Sequence, residues 1–216
     1  MSTPILFGGP FSVYVQAIRL VLLEKGVSYK LVHANPFDPM EEDERILENN
    51  PFRLIPIFDD GRVLLYESDA IARYVDEAYP GKNLLPTGLE ERARANQILS
   101  ILHSVAYPLW VRTLYIERIS NPNRGLPTNE DAVSSALPKS RTAFDEISRF
   151  LSESGGPYLL GDEVTLPDLF CCPMLACLIE VSEGKTWIDE NPDISGWWTR
   201  MISNEVVRSI VIDEIG

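Results

Sequence analysis

The sequence predicts a mixed α/β domain followed by an all-α domain, and three observations carry that expectation. Short apolar runs alternate with helical repeats through residue 80, an Asp-Gly step joins two of those runs, and from about Leu89 onward long helical periodicity replaces the alternation.

The α/β part reads in order as βαβαββα. "PILFGG" is a short apolar strand, and after Pro10-Phe11-Ser12 the residues Val15, Ile18, Leu22 and Leu23 recur at helical spacing until Gly26 supplies a stop. "SYKLVHA" follows as a second strand, and "MEEDERILENN" as a polar helix or turn with few apolar anchors. Two further strands, "IPIFDD" and "RVLLYE", meet at Asp59-Asp60-Gly61, a strong hairpin signal. The helix "SDAIARYVDEAY" ends the half before Pro80-Gly81. The expected sheet is small and mixed, with one antiparallel hairpin.

The expected domains are residues 1–80 and 89–216, with the Pro- and Gly-rich stretch 81–88 as linker. Helical segments are expected over Glu90–Arg118, Asn129–Ser154, Leu166–Ser182 and Gly196–Val211. The third opens on a full start signature: Thr165 caps the amide of Asp168, the Asp168 carboxylate reaches back, Pro167 suits the first turn, and Val164 staples onto Leu169. There are no internal repeats and no low-complexity tract.

Composition narrows the function classes. A net charge of -13 repels phosphate backbones, which argues against nucleic acid as a partner. No apolar run reaches the length that spans a membrane, and "MSTPILFGGPF" does not read as a secretory signal, so a cytoplasmic protein is expected. Cys171, Cys172 and Cys177 sit together without nearby histidines; they read as buried, reduced thiols, and no metal site is expected.

Two local features are harder to place. Pro56 opens an apolar run that otherwise looks like a strand, although proline lacks the N–H a ladder needs. On the residues alone it is a trans proline at an edge-strand start. Glu67-Ser68 closes another apolar run where a helix begins, and a helix start is both a capping position and an anion site.

The motifs "NPFRLIP", "YESDAIARYVDEAYP" and "YLLGDEVTLPDL", in this order, together with the two-part architecture, resemble the cytosolic glutathione S-transferases, in particular serine-type, bacterial-like members. The resemblance covers essentially the whole chain. It implies a thioredoxin-like first domain, a helical-bundle second domain, and glutathione as co-substrate. Pro56 would then be cis, turning the Ile55 backbone outward to pair with glutathione as an added strand. Ser68 and its amide would bind the γ-glutamyl carboxylate, with Glu67 positioning that end. Ser12, at the start of the first helix, falls where serine-type members keep their activating hydroxyl, so it would stabilise the thiolate as a donor rather than act as a nucleophile. A plain helix cap at Ser12, or Tyr14 as the hydroxyl, are the open alternatives.

The same resemblance assigns Phe11 and Arg53 to the glutathione site, and Phe11, His103, Tyr107 and Trp110 to a pocket for an electrophilic second substrate. His103, Tyr107 and Trp110 share a helix face, which ordinary core packing also explains. His33 reads as structural. Phe52 matches a position where relatives insert an aromatic "key" into a partner subunit, which implies a homodimer. Leu54 departs from the pattern, because relatives place a polar or basic side chain there for the glycyl end; Arg53 or Arg45 is the candidate substitute. The function implied is conjugation of glutathione to small electrophiles, a detoxification chemistry. The alternative is a non-catalytic binding or regulatory protein on the same scaffold, and a third is a glutathione-dependent isomerase, reductase or peroxidase.

Overall fold

The computed structural model describes residues 3–36 and 49–213. The chain divides into two compact units, residues 1–84 with 206–216 and residues 85–205. Of the polar segment expected over residues 40–50, residues 40–48, with Arg45, lie outside the described residues.

The first unit holds β1 (Ile5–Phe7), α1 (Val13–Glu24), β2 (Lys30–Val32), β3 (Ile57–Asp59), β4 (Leu64–Tyr66) and α2 (Ser68–Ala78). The sheet order is β2-β1-β3-β4: β1 pairs β2 in parallel, and β3 runs antiparallel to both β1 and β4. α1 ends where the sequence signals a stop. Gly26 adopts φ 64, its N–H reaches the Leu23 carbonyl at 2.9 Å, and the Val27 N–H reaches that of Leu22 at 2.8 Å. The hairpin turns at Gly61, with φ 80. Leu6, Val15, Ile18, Leu22, Phe58, Ile71 and Val75 are fully buried and form the core of this unit.

Two polar knots lock its edges. Lys25 Nζ donates to the Asp76 carboxylate at 3.1 Å and to the Asp76 and Lys82 carbonyls at 2.8 and 2.9 Å, while Asp76 also accepts from the Leu84 N–H. Asp60 accepts from Arg62, Tyr74 and Tyr79 side chains and from the Arg62 and Val63 amides. The Arg62 guanidinium lies over both tyrosine rings.

The second unit is all-helical. α3 (Leu89–Ile101) runs on into a π-wound stretch, Leu102–Ser120, as one long helix. Pro108 within it has no N–H to offer the preceding turn, and wider winding is one way a helix tolerates such an interruption. α4 (Glu130–Glu153), α5 (Leu166–Ile179), α6 (Ser182–Asp189) and α7 (Pro192–Ile202) follow. The capping box at Thr165 and Asp168 forms as the sequence predicts. Asp168 goes further: its carboxylate also accepts from the Leu159 N–H at 2.9 Å and the Trp197 indole at 2.8 Å, tying α5 to α7.

Three boundaries differ from the sequence expectation. α5 stops at Ile179 and α6 begins anew after Val181. The segment expected as one helix over Gly196–Val211 is instead α7, which starts at Pro192 under an Asn191 cap, and α8 (Glu205–Arg208), which leads into a π-wound turn, Ser209–Asp213. Residues 206–216 group with the first unit, because Val207, Ile210 and Val211 are buried and the turn packs on α1. Among the described residues no helix is long and apolar enough to cross a membrane.

Candidate functional site

The site is built on three loops of the first unit. The first joins β1 to α1. Gly8 is constrained there, because a Cβ would strike the buried Val15, and a Cβ on Gly9 would displace the Phe11 ring. Phe11 therefore lies against Gly9 with its ring 40% exposed. Ser12 is the N-cap residue of α1, at φ -81 and ψ 119. Its N–H donates to the Gly9 carbonyl at 3.1 Å and its carbonyl accepts from the Gln16 N–H at 2.9 Å. Its side chain makes no cap hydrogen bond. A half-buried hydroxyl is thus left beside the unsatisfied amides of a helix start, where partial positive charge collects. Tyr14, two residues on, is already inside the helix.

The second loop precedes β3. Asn50 is buried and clasps it: Nδ2 donates to the Leu54 carbonyl at 2.8 Å, Oδ1 accepts from the Phe52 N–H at 3.0 Å, and its own carbonyl takes the Arg53 N–H at 2.9 Å. Within that clasp Arg53 adopts φ 56, a left-handed conformation unusual for a residue with a side chain. The Ile55–Pro56 peptide is cis. Among the described residues, neither the N–H nor the C=O of Ile55 has a hydrogen-bond partner, so this edge is free to pair with an extended ligand. Asn50 is the feature that reading the sequence missed; "NN" before proline looks like the end of a polar helix.

The third loop joins β4 to α2. Glu67 is the N-cap, at φ 69 and ψ 110, and makes no side-chain cap hydrogen bond. Ser68 stands at the first helical position rather than at the cap, which sets aside the capping alternative for its hydroxyl. A helix start of this kind is where partial positive charge collects and where an anion is favoured. A side chain at positive φ is held there only by its surroundings, and such residues gather at ligand sites.

The other expected residues fall as follows. Phe52 is 64% exposed and sets its ring edge-on to Tyr66, with centroids 6.1 Å apart. Leu54 is 47% exposed. His103 packs edge-on to Phe170 at 4.8 Å, and Tyr107 is half-buried, burial pushing its hydroxyl above the ordinary tyrosine value. Trp110 is fully enclosed in the helical unit, its indole donating to the Ser140 carbonyl at 3.1 Å. His33 is exposed just beyond β2. Cys171, Cys172 and Cys177 are buried and unpaired, and burial raises all three thiols, Cys177 to about 12.

Comparison with known proteins points one way. Residues 6–83 match the family described as "Glutathione S-transferase, N-terminal domain", and residues 109–205 match "Glutathione S-transferase, C-terminal domain". The chain is 29% identical to glutathione S-transferase F6 of Arabidopsis thaliana, covering 95% of this chain and 98% of that one. It is 30% identical to the probable glutathione S-transferase GSTF1 of Oryza sativa subsp. japonica, covering 96% and 95%. A solved structure of glutathione S-transferase III in apo form superposes with a TM-score of 0.83 at 26% identity, covering 99% of this chain and 97% of that one. On the strength of both matched domains, the chain belongs to the glutathione S-transferase family.

Proposed function

We propose that the protein transfers the glutathione thiolate to small electrophiles, with Ser12 as the group that stabilises the sulfur anion. The observation that carries this reading is the Ser12 hydroxyl, at a helix start yet making no cap hydrogen bond.

Each part of glutathione has a matching surface. The cysteinyl N–H and C=O pair with the open Ile55 backbone beside Pro56. The γ-glutamyl carboxylate meets the start of α2 and the Ser68 hydroxyl, while the Glu67 carboxylate faces the ammonium at that end. Arg53, with its backbone turned by Asn50, is the candidate for the glycyl carboxylate that Leu54 cannot hold. These placements bring the sulfur to Ser12.

A free thiol titrates near 8.5. A hydrogen bond to a charged group contributes about 1.5–3 kcal/mol, and a helix start about 0.3–1 kcal/mol. The hydroxyl is therefore the larger influence, and together the two lower the thiol pKa by about 1–3 units at about 1.4 kcal/mol per unit. The sulfur electron pair then forms the C–S bond. The leaving group departs with its own pair, or an activated alkene takes a proton from water. Holding both reactants in one place replaces a bimolecular encounter. Phe11 supplies an apolar surface beside Ser12 for the electrophile.

The partner is read as a second copy of this chain. Exposed Phe52 and Leu64 flank Tyr66 and give an apolar patch of the kind that dimer contacts use. The cytosol suits three reduced thiols and a glutathione-dependent reaction.

A panel of electrophiles assayed with glutathione tests the reading. Ser12→Ala is expected to cut kcat by about a hundredfold with little change in glutathione binding. Wild-type protein inert toward every electrophile, yet binding glutathione, supports the non-catalytic alternative instead.

A further inference from the structure

We propose that Gln16 is a positioning residue for Ser12: its buried amide holds the Pro10 carbonyl and so fixes the loop that presents the Ser12 hydroxyl. The inference rests on the reading of Ser12 as thiolate donor and deepens it.

α1 buries Val13, Val15, Ala17, Ile18, Leu20, Val21 and Leu22, and among them one polar side chain, Gln16, at 0% exposure. An amide in such a place is unfavourable unless its hydrogen bonds are met. One such bond is present: Nε2 donates to the Pro10 carbonyl at 2.9 Å, while Oε1 is sealed from solvent without a hydrogen-bond partner among the described residues. A methionine of similar length would fill the same space and remove the orphan Oε1, releasing only the half-buried Pro10 carbonyl, so packing alone does not explain the amide. The grip on Pro10 does.

That grip matters because of where the loop leads. Ser12 N–H to Gly9 O closes a turn over Pro10 and Phe11, and Gln16 N–H to Ser12 O begins the helix. Gln16 thus holds the loop twice, by its backbone at Ser12 and by its side chain at Pro10. Released from the side-chain tether, the Pro10–Phe11 peptide is free to turn, and the direction of the Ser12 Oγ turns with it. Hydrogen bonds weaken steeply with misalignment, and a misplacement of about 1 Å in a site costs up to about a hundredfold in rate.

Gln16→Met tests this against a purely structural role. The expected variant melts near the wild-type temperature, because removal of the orphan Oε1 offsets the lost bond to the half-buried Pro10 carbonyl. The thiol of its bound glutathione titrates closer to the free value, and kcat/KM at neutral pH falls about tenfold, with kcat changing more than KM. A folded Gln16→Met with wild-type thiol titration overturns the proposal. Should that variant not fold, Gln16→Glu decides: its protonated carboxyl donates to Pro10 and its carboxylate does not. Relative to wild type, its activity is then expected to fall as pH rises through that titration, and a pH profile parallel to wild type overturns the proposal. Ser12→Ala separates the two readings. If it leaves the bound thiol unchanged, the Ser12 assignment fails; if it raises the thiol pKa while Gln16→Met does not, only the role of Gln16 fails.

Discussion

Asn50 Nδ2 donates to the Leu54 carbonyl at 2.8 Å, closing the loop that runs into Ile55 and Pro56. The same side chain accepts from the Phe52 N–H, and its backbone carbonyl accepts from the Arg53 N–H, so one buried residue holds three positions of a segment with little other structure.

Asn50→Ala is therefore expected to loosen the edge that pairs with the cysteinyl backbone. KM for glutathione should rise roughly tenfold while stability drops by about 2 kcal/mol. Steady-state kinetics alongside urea melts check both, and an unchanged KM would show that the loop holds its shape without the clasp.

Asp60 makes the first unit acid-sensitive. Burial alone would raise its carboxyl, but hydrogen bonds from Arg62, Tyr74 and the Arg62 and Val63 amides outweigh burial and hold it well below the usual carboxylate range. Because the folded value lies below the unfolded one of about 3.9, unfolding takes up a proton, and this stabilisation is complete above about pH 5 and lost as pH falls from there. Denaturant melts at a series of pH values should show wild type losing stability through this range. Asp60→Asn should be weaker at neutral pH, with a flatter acid limb; parallel slopes would contradict the assignment.

The three thiols should be silent in the native protein. Cys171, Cys172 and Cys177 are buried, and burial holds each in its protonated, unreactive form at neutral pH. An aromatic disulfide reagent is expected to label none of them until denaturant is added, and rapid labelling of any one under native conditions would refute this.

Asp168 should be the costliest single truncation in the helical unit. Its carboxylate accepts from Leu159, Thr165 and Trp197 together, so Asp168→Ala leaves several buried donors unmet and should lower stability by about 3 kcal/mol or more. Thermal melts measure it, and a loss no larger than that of Thr165→Ala would show that the ties beyond the capping box contribute nothing.

What the sequence made legible is local. The alternation of strand and helix, the stop at Gly26, the hairpin at Asp60-Gly61 and the capping box at Thr165 each depend on residues within a few positions of one another. Pro56 and Glu67-Ser68 stood out because they sit at ends of such elements, while Ser12 and Ile55 were named through the family resemblance. What stayed hidden joins distant positions or breaks a local rule. Lys25 and Asp76 are 51 residues apart. Asp168 reads as a cap partner, and nothing in the chain announces the Trp197 indole. Gln16 looks like a solvent-facing residue on a helix until the fold seals it. Pro108 hints at a disturbed helix but not at π winding on both sides.

The proposed chemistry depends on Ser12 making the glutathione sulfur easier to ionise. Titrating the thiol of glutathione bound to the wild-type protein, by the ultraviolet absorbance of the thiolate, tests it most directly. A pKa about 1–3 units below the free value of about 8.5 is expected, with most of that shift lost in Ser12→Ala. A bound thiol that titrates as it does in buffer, or one that Ser12→Ala leaves unmoved, would contradict it.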